Sequence, residues 1–412
     1  MKFKYHAMTL GCLAAMGLAS TAHAVDLAGG LLEVYGNMYP QYQQTTFSDA
    51  GTGGTTSTMT AGNNTPTAVA AATKQSTTKI NWVNSYIGFK GQKNLGDLSA
   101  GYDVQGVLMA DNTLTTSGFT GEARDAFLFL SHKKMGTLQI GQMDSIYKEF
   151  GDKVRLLGTS SGNFTSTSSI VSGVTWRAPS ANAAGTTSFN TRVNGQIRWV
   201  SPNWNGVEVG LSHRPDPAKS ATSDASLSGM GIRWSNKTYY VGLGQEVHND
   251  YRTVSGTGVT ADSATKIYSV SPRSKDTATR LSFGYQNDKM RVGADFSNLQ
   301  YTEDATVAGN FSSYSTTGWQ VTAEYKVDPK MTIGGNYGVN AAGSCSLLGG
   351  SACSTDGLGG TLLSLGMRYD YDKNIGVFAL YGRSNPNSGA VMASGTVGGA
   401  VTNMAVGVQV KF

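Results

Sequence analysis

The sequence predicts an all-β chain folded as a sixteen-stranded antiparallel transmembrane β-barrel, with short turns at one rim and long loops at the other. Three observations predict it. Segment after segment alternates apolar and polar residues with period two, the strand signature. The connections between these segments alternate short and long. The chain also ends on a finished strand, "NMAVGVQVKF", where a soluble domain usually frays.

The first element is not part of the barrel. Lys2 and Lys4 precede a mostly apolar stretch from Ala7 to Leu18, then Ala22-His23-Ala24. A basic start, a short apolar core and small residues at the cut make residues 1–24 a signal peptide, leaving 25–412 as one barrel domain. The stretch is shorter than the ~20 residues that a spanning helix needs.

The strands come next. "WQVTAEYKV" places Trp319, Val321, Ala323, Tyr325 and Val327 on one face and Gln320, Thr322, Glu324 and Lys326 on the other. "LLSLGMRYDYD" sets Leu363, Leu365, Met367, Tyr369 and Tyr371 against Ser364, Gly366, Arg368 and Asp370. "TRLSFGYQ", "MRVGADFSN" and "GIRW" repeat the pattern. A sandwich core also gives one apolar face per strand. Here the chain is one meander, and the polar faces carry Gly and charge in nearly every strand, as a wet lumen requires.

Seven short turns (93–96, 133–136, 202–206, 235–237, 287–288, 328–330 and 372–374) carry the Asn, Asp, Gly and Pro of tight turns. Eight long connections fall at 44–77, 111–121, 144–190, 215–227, 250–277, 302–315, 341–360 and 384–399. Together they join sixteen strands, the first about 31–43 and the last about 400–412. An even count with short turns on the periplasmic side and long external loops is the plan of outer-membrane barrels. Closure pairs the first strand with the last, so no sheet edge meets lipid. Phe412 ends the sealing strand, its ring in the interfacial girdle.

Composition excludes several classes. Cleavage removes two lysines and no acid from a formal charge of +5, leaving a balance too mild for nucleic acid. Cys345 and Cys353, in a Gly/Ser-rich stretch of an exported chain, read as a local disulfide. No His or carboxylate motif completes a metal set, so no metal or other cofactor is expected. The remaining histidines, His132, His213 and His248, sit in no catalytic motif, and His213 takes the lipid-facing parity; no enzyme is expected.

"EVYGNMYPQY" (33–42), "NSYIGFKGQKNLGDLSAGYDVQ" (84–105), "GTLQIGQMD" (136–144), "RVNGQIRWVSPNWNGVEVGLSHR" (192–214) and the terminal Phe carry a resemblance to the general diffusion porins of Gram-negative outer membranes, especially the neisserial type. The resemblance covers essentially the whole mature chain. It implies a homotrimer in outer-membrane lipid, passing small hydrophilic solutes and ions, with the third loop (144–190) folded into the pore. That loop would set acids Asp144, Glu149 and Asp152, with bases Lys148, Lys153 and Arg155, against a basic wall, a transverse field that sorts solutes by charge.

The wall departs from the family pattern. Asn37 follows "YG", Tyr86 replaces the usual Arg before "IGFKG", and Gln142 replaces the usual Arg after "IG"; Arg198 is retained. Alternation places Arg192, Arg198, Arg214, Arg233, Arg280, Arg291, Lys326 and Arg368 inward, against Glu208, Glu246, Asp295, Glu324 and Asp370. Inward placement has an energetic reason, since Arg or Lys facing lipid at the midplane costs ~2–4 kcal/mol. The surplus of bases suggests a modest anion preference. Most aromatics fall near strand ends or on the outward parity, as a girdle would; Tyr86 and Tyr240 are the inward exceptions. A substrate-selective channel is the nearest rival, kept open by Asn37, Tyr86 and Gln142. A β-barrel adhesin using the Thr/Gly-rich loop 44–77 is the more distant one.

Overall fold

The protein is seen in a computed structural model, which describes residues 25–26, 29–47, 55–56, 67–68, 75–109, 118–151, 153–158, 163–172, 188–221, 224–250, 273–304, 311–350, 355, 358–386 and 400–412. Residues 1–24, the expected signal peptide, lie outside the described residues.

Sixteen strands close into one antiparallel barrel. They are β1 (Glu33–Met38, continued as Pro40–Phe47), β2 (Gln75–Trp82, continued as Tyr86–Leu95), β3 (Leu98–Met109), β4 (Gly118–His132), β5 (Gly136–Asp144) and β6 (Arg192–Val200). There follow β7 (Val207–Arg214), β8 (Leu227–Ser235), β9 (Tyr239–Asn249), β10 (Ser274–Gln286) and β11 (Met290–Glu303). The last five are β12 (Phe311–Lys326), β13 (Met331–Asn340), β14 (Gly360–Asp370), β15 (Ile375–Pro386) and β16 (Val401–Lys411). The number of strands, and the alternation of short and long connections, match the expectation. The first strand reaches Phe47, beyond its expected end near residue 43.

Alternation sets the two faces. On β12, Trp319, Val321, Ala323 and Tyr325 are exposed on the outside, while Gln320, Thr322 and Glu324 are buried inside. Trp234, Tyr369 and Tyr371 are exposed as well. No helix among the described residues is long and apolar enough to cross a membrane.

The seam between β1 and β16 is fastened on both faces. Gln41–Phe47 pair with Gly407–Val401, and Asn37 and Met38 pair with Lys411 and Val410. The Gly36 and Phe412 backbones then exchange hydrogen bonds of 2.9 and 3.2 Å. Outside, the Phe412 ring lies where a side chain on Gly36 would be, so only glycine fits opposite the terminal aromatic. Inside, Asn403 Oδ1 accepts from Gln43 Nε2 (2.9 Å) and Thr45 Oγ1 (2.7 Å), and Gln409 Nε2 donates to Asn37 Oδ1 (2.9 Å). Each such neutral bond contributes roughly 0.5–1.5 kcal/mol.

Two substitutions test the seam. Gly36→Val collides with the ring, and Phe412→Ala removes it. Both are expected to lower the temperature at which the folded barrel converts to its unfolded gel form. The alanine change should cost less than the ~3 kcal/mol typical of a buried Phe, because this ring is half-exposed.

Candidate functional site

The barrel is not an open tube. The described parts of the connection between β5 and β6 (145–151, 153–158, 163–172 and 188–191) turn inward and lie along the inner wall. Ser145 caps its first turn, α1 (Ile146–Glu149), its hydroxyl accepting from Lys148 N at 3.2 Å. A 3-10 turn (Leu156–Gly158) and a second helical turn, α2 (Thr167–Ile170), follow. Ile146, Tyr147, Phe150, Leu156, Phe164, Val171 and Phe189 are at most 2% exposed.

The wall makes room for this loop by lacking side chains beneath it. A Cβ added to Gly210 on β7 would lie 2.5 Å from Ile146 Cδ1, and one on Gly231 of β8 would lie 2.8 Å from Phe150 Cδ2. The same holds for Gly293 on β11 against Val154 (2.9 Å), Gly334 on β13 against Leu156 (2.9 Å) and Gly366 on β14 against Leu157 (2.7 Å). The returning leg repeats it one level further along the strands. Phe164 sits over Gly382 of β15, Thr167 over Gly338 of β13, and Val171 over Gly318 of β12. Burying each large apolar loop residue this way contributes roughly 1.5–3 kcal/mol.

Polar clamps fix the register of the loop. Tyr240 OH donates to Phe150 O (2.6 Å), Ser297 Oγ to Val171 O (2.5 Å) and Asn336 Nδ2 to Thr165 O (2.6 Å). At the far bend, Leu157 has φ 52, a left-handed conformation that disfavours a γ-branched residue. Two bonds hold it there. Leu157 N donates to Glu324 Oε1 (2.5 Å), and Leu157 O accepts from Arg368 Nη1 (3.0 Å).

This placement corrects the expected basic wall. Arg198, Arg233 and Arg280 point inward but lie buried under the loop, at 7%, 7% and 1% exposure. Arg198 contacts Glu149 through a short ion pair and donates to Asp144 O (2.9 Å). Arg233 reaches Glu208 (3.0 Å) and Glu149 (3.5 Å), with its guanidinium 4.5 Å from the Phe150 ring centre. Arg280 pairs with Asp295 (3.1 Å) beside Gly151. Arg291 pairs with Glu324 (3.0 Å) and Arg368 with Asp370 (3.0 Å). The loop acids Asp144 and Glu149 therefore touch wall bases directly rather than facing them across water. Direct contact shrinks each dipole, so the surplus counted from strand parity overstates the field. Lys326 keeps the inward parity but is exposed at the short-turn end of β12. Tyr240, expected to face the lumen, is covered by the loop.

The remaining expected residues divide. Asp144 pairs with Lys148 (2.9 Å) and Arg192 (3.4 Å), and Arg192 also reaches Asp125 (2.8 Å). Burial pushes the Lys148 ammonium down to about 8, against the pull of Asp144. Burial, aided by Arg233 and Arg291, also pushes Lys153 below the usual lysine range. Lys153 and Arg155 are half-buried. Asn37 bonds Gln409 and Asn84 O, and Gln142 donates to backbone carbonyls (Ala123 O, 2.5 Å; Arg124 O, 3.1 Å), so neither amide is a free lumen donor. Cys345 is disulfide-bonded. Asp152 and Cys353 lie outside the described residues.

Two pore residues went unnamed in the sequence: Tyr35, which shares the inward parity of Asn37, and Arg124, which parity places outside. Tyr35 OH donates to Asp103 (2.5 Å), and Arg124 lies 4.6 Å from the Tyr86 ring centre. No group of His, Cys, Asp and Glu that could hold a metal occurs among the described residues.

Filling the seat tests the arrangement. Gly231→Val should push Phe150 off the wall and into the lumen. The open-channel conductance is expected to fall and become noisier while the barrel still folds; unchanged conductance would show that the loop does not rest there.

Residues 11–390 match the sequence profile of the family described as Gram-negative porin. No curated protein matches the chain. Among solved structures, the anion-selective porin from Comamonas acidovorans superposes with TM-score 0.63 at 13% identity, over 92% of this chain and 99% of that one. The outer membrane channel DcaP of Acinetobacter baumannii gives 0.59 at 12% identity, over 94% and 100%. Salmonella typhi OmpF, in complex with daunomycin, gives 0.58 at 15% identity, over 94% and 100%. At such identities the superpositions speak for the fold alone. The profile match spans most of the chain, and with the closed barrel and its inward loop it places this protein in the Gram-negative porin family, as an outer-membrane channel for general diffusion.

Proposed function

We propose that this porin passes small hydrophilic solutes and ions with a weak anion preference, as a homotrimer embedded in outer-membrane lipid after removal of residues 1–24. One observation carries the preference. Where the root of the loop meets the wall of β2 to β6, Arg124 and Arg192 of the wall and Lys148 and Arg155 of the loop share a neighbourhood with Asp103, Asp125 and Asp144, four bases against three acids. The pairs within this group cancel most of the field, and one positive charge remains. In a narrow, low-dielectric passage one net charge is enough to bias ion flow. The beneath-loop pairs add little, since each is neutralised in place. The anion-selective Comamonas channel shares the fold and is consistent with this reading.

Planar-bilayer recording in a salt gradient tests it. A reversal potential of anion sign, small in magnitude, is expected, with conductance steps grouped in threes. A reversal potential of cation sign would overturn the preference. On unboiled gels the folded protein is expected at the mass of three chains and, after boiling, at that of one.

The preference should also depend on pH. Lys148 loses its proton as pH rises through about 8. The cluster then loses its surplus positive charge, so the anion-to-cation permeability ratio is expected to fall between roughly pH 7 and 9. Lys148→Gln should start from the lower ratio and lose that pH dependence. A wild-type ratio flat across this window would contradict the assignment of Lys148.

A further inference from the structure

The wall between β2 and β4 holds a basic residue that strand parity hides. In the β3–β4 ladder, Val104 pairs with Ala126 and Gly106 with Ala123. Two steps on β3 are matched by three on β4, so one extra residue bulges out of register at Arg124–Asp125. A bulge re-aims side chains that alternation would place on opposite faces. Without it, Arg124 would take the parity of the exposed Leu128 and Leu130 and face lipid. With it, both neighbours turn into the lumen. Asp125 reaches Arg192 at 2.8 Å, and Arg124 lies over the ring of Tyr86.

The bulge is built and braced. At the bulge, Gln142 on β5 donates to the carbonyls of both Ala123 and Arg124. Tyr86 fixes the other side. Its ring meets the Arg124 guanidinium at 4.6 Å on one side and the Tyr35 ring, edge-on, at 6.0 Å on another. Arg124 Nε makes no hydrogen bond among the described residues. The guanidinium thus rests on a ring, and among the described residues no carboxylate closes its fork, unlike Arg192, Arg198, Arg233 and Arg280.

We infer that Arg124 is the specificity-determining base of this pore, the group that passing anions contact, and that Tyr86 and Gln142 position it. The residues that stand where arginines were expected, Tyr86 and Gln142, thus support an arginine delivered from a third strand. The ligand class is small anions, carboxylates above all, because a planar guanidinium fork matches a carboxylate bidentately. The inference rests on the anion preference proposed above.

Reversal potentials of the full-length refolded protein test it, in gradients of potassium chloride and of potassium acetate at low salt. Arg124→Gln is expected to lower the chloride-to-potassium permeability ratio about five-fold, because one unit charge roughly 8 Å from a passing ion in water changes the anion and the cation terms by a little over two-fold each, in opposite directions. Arg124→Lys should keep that ratio and lose permeability to acetate relative to chloride. Tyr86→Leu, which keeps every charge, should fall between wild type and Arg124→Gln. An anion-selective wild type whose ratio is unchanged in Arg124→Gln would overturn the role of Arg124 and leave the anion preference standing. Should Arg124→Gln not refold, wild-type acetate permeability in both Arg124→Lys and Tyr86→Leu would overturn it equally. A cation-selective wild type would overturn the preference itself, and this inference with it.

Discussion

The pore depends on a fit between the third loop and wall positions that have no side chain. A sixteen-stranded barrel is too wide to be filled by its own inward residues. Something must narrow it, and here the loop does so by lying on the wall rather than spanning the opening. Glycines on β7, β8, β11, β12, β13, β14 and β15 give up their volume to Ile146, Phe150, Val154, Leu156, Leu157, Phe164 and Val171. Two costs are accepted for this. Glycine weakens a strand, and the lumen acquires an apolar layer, centred at the far bend on Tyr39, Leu157, Phe164 and Phe378. The layer is hidden from water because the loop covers it.

Charge follows from packing. A guanidinium under the loop cannot keep its water, so each needs a carboxylate, a carbonyl or a ring. Arg198, Arg233 and Arg280 each have such partners, and they act as clamps for the loop rather than as lining for the stream. What is left for solutes is the wall at the root of the loop, where the bulge in β4 sets Arg124 and Asp125 inward together. The same device recurs two strands further on, in β6. Between β5 and β6, Gly141 pairs with Gln196 and Met143 with Val193, and Gln196 donates to Met143 O (2.6 Å) as Gln142 does to the carbonyls of the first bulge. Two bulges thus flank β5, the strand from which the loop departs.

Much of this was legible in the sequence, for a physical reason. Lipid outside and water inside impose period two on every strand, and tight turns demand Asn, Asp, Gly or Pro. Strand number, turn placement and the sealing role of Phe412 all follow from those rules. The charges were harder. Parity placed Arg280 and Asp295 inward correctly, but nothing in parity says that a loop will cover them. The glycines on the inner faces read as the mark of a wet lumen, whereas most of those above are seats for loop residues. Arg124 was lost because one extra residue in β4 shifts the register, and a bulge has no signal in a two-residue period. Gln142 read as a missing arginine; its amide in fact caps that bulge.

The most direct measurement is a cross-link between loop and wall. In a Val154→Cys, Gly293→Cys protein, the two Cβ positions fall 2.9 Å apart, so a modest local shift reaches disulfide geometry. If the loop rests on the wall, oxidation should join the pair nearly completely and leave the single-channel conductance as it was. Failure to cross-link, or a conductance that rises sharply once the loop is tied back, would show that in the working channel the loop lies elsewhere.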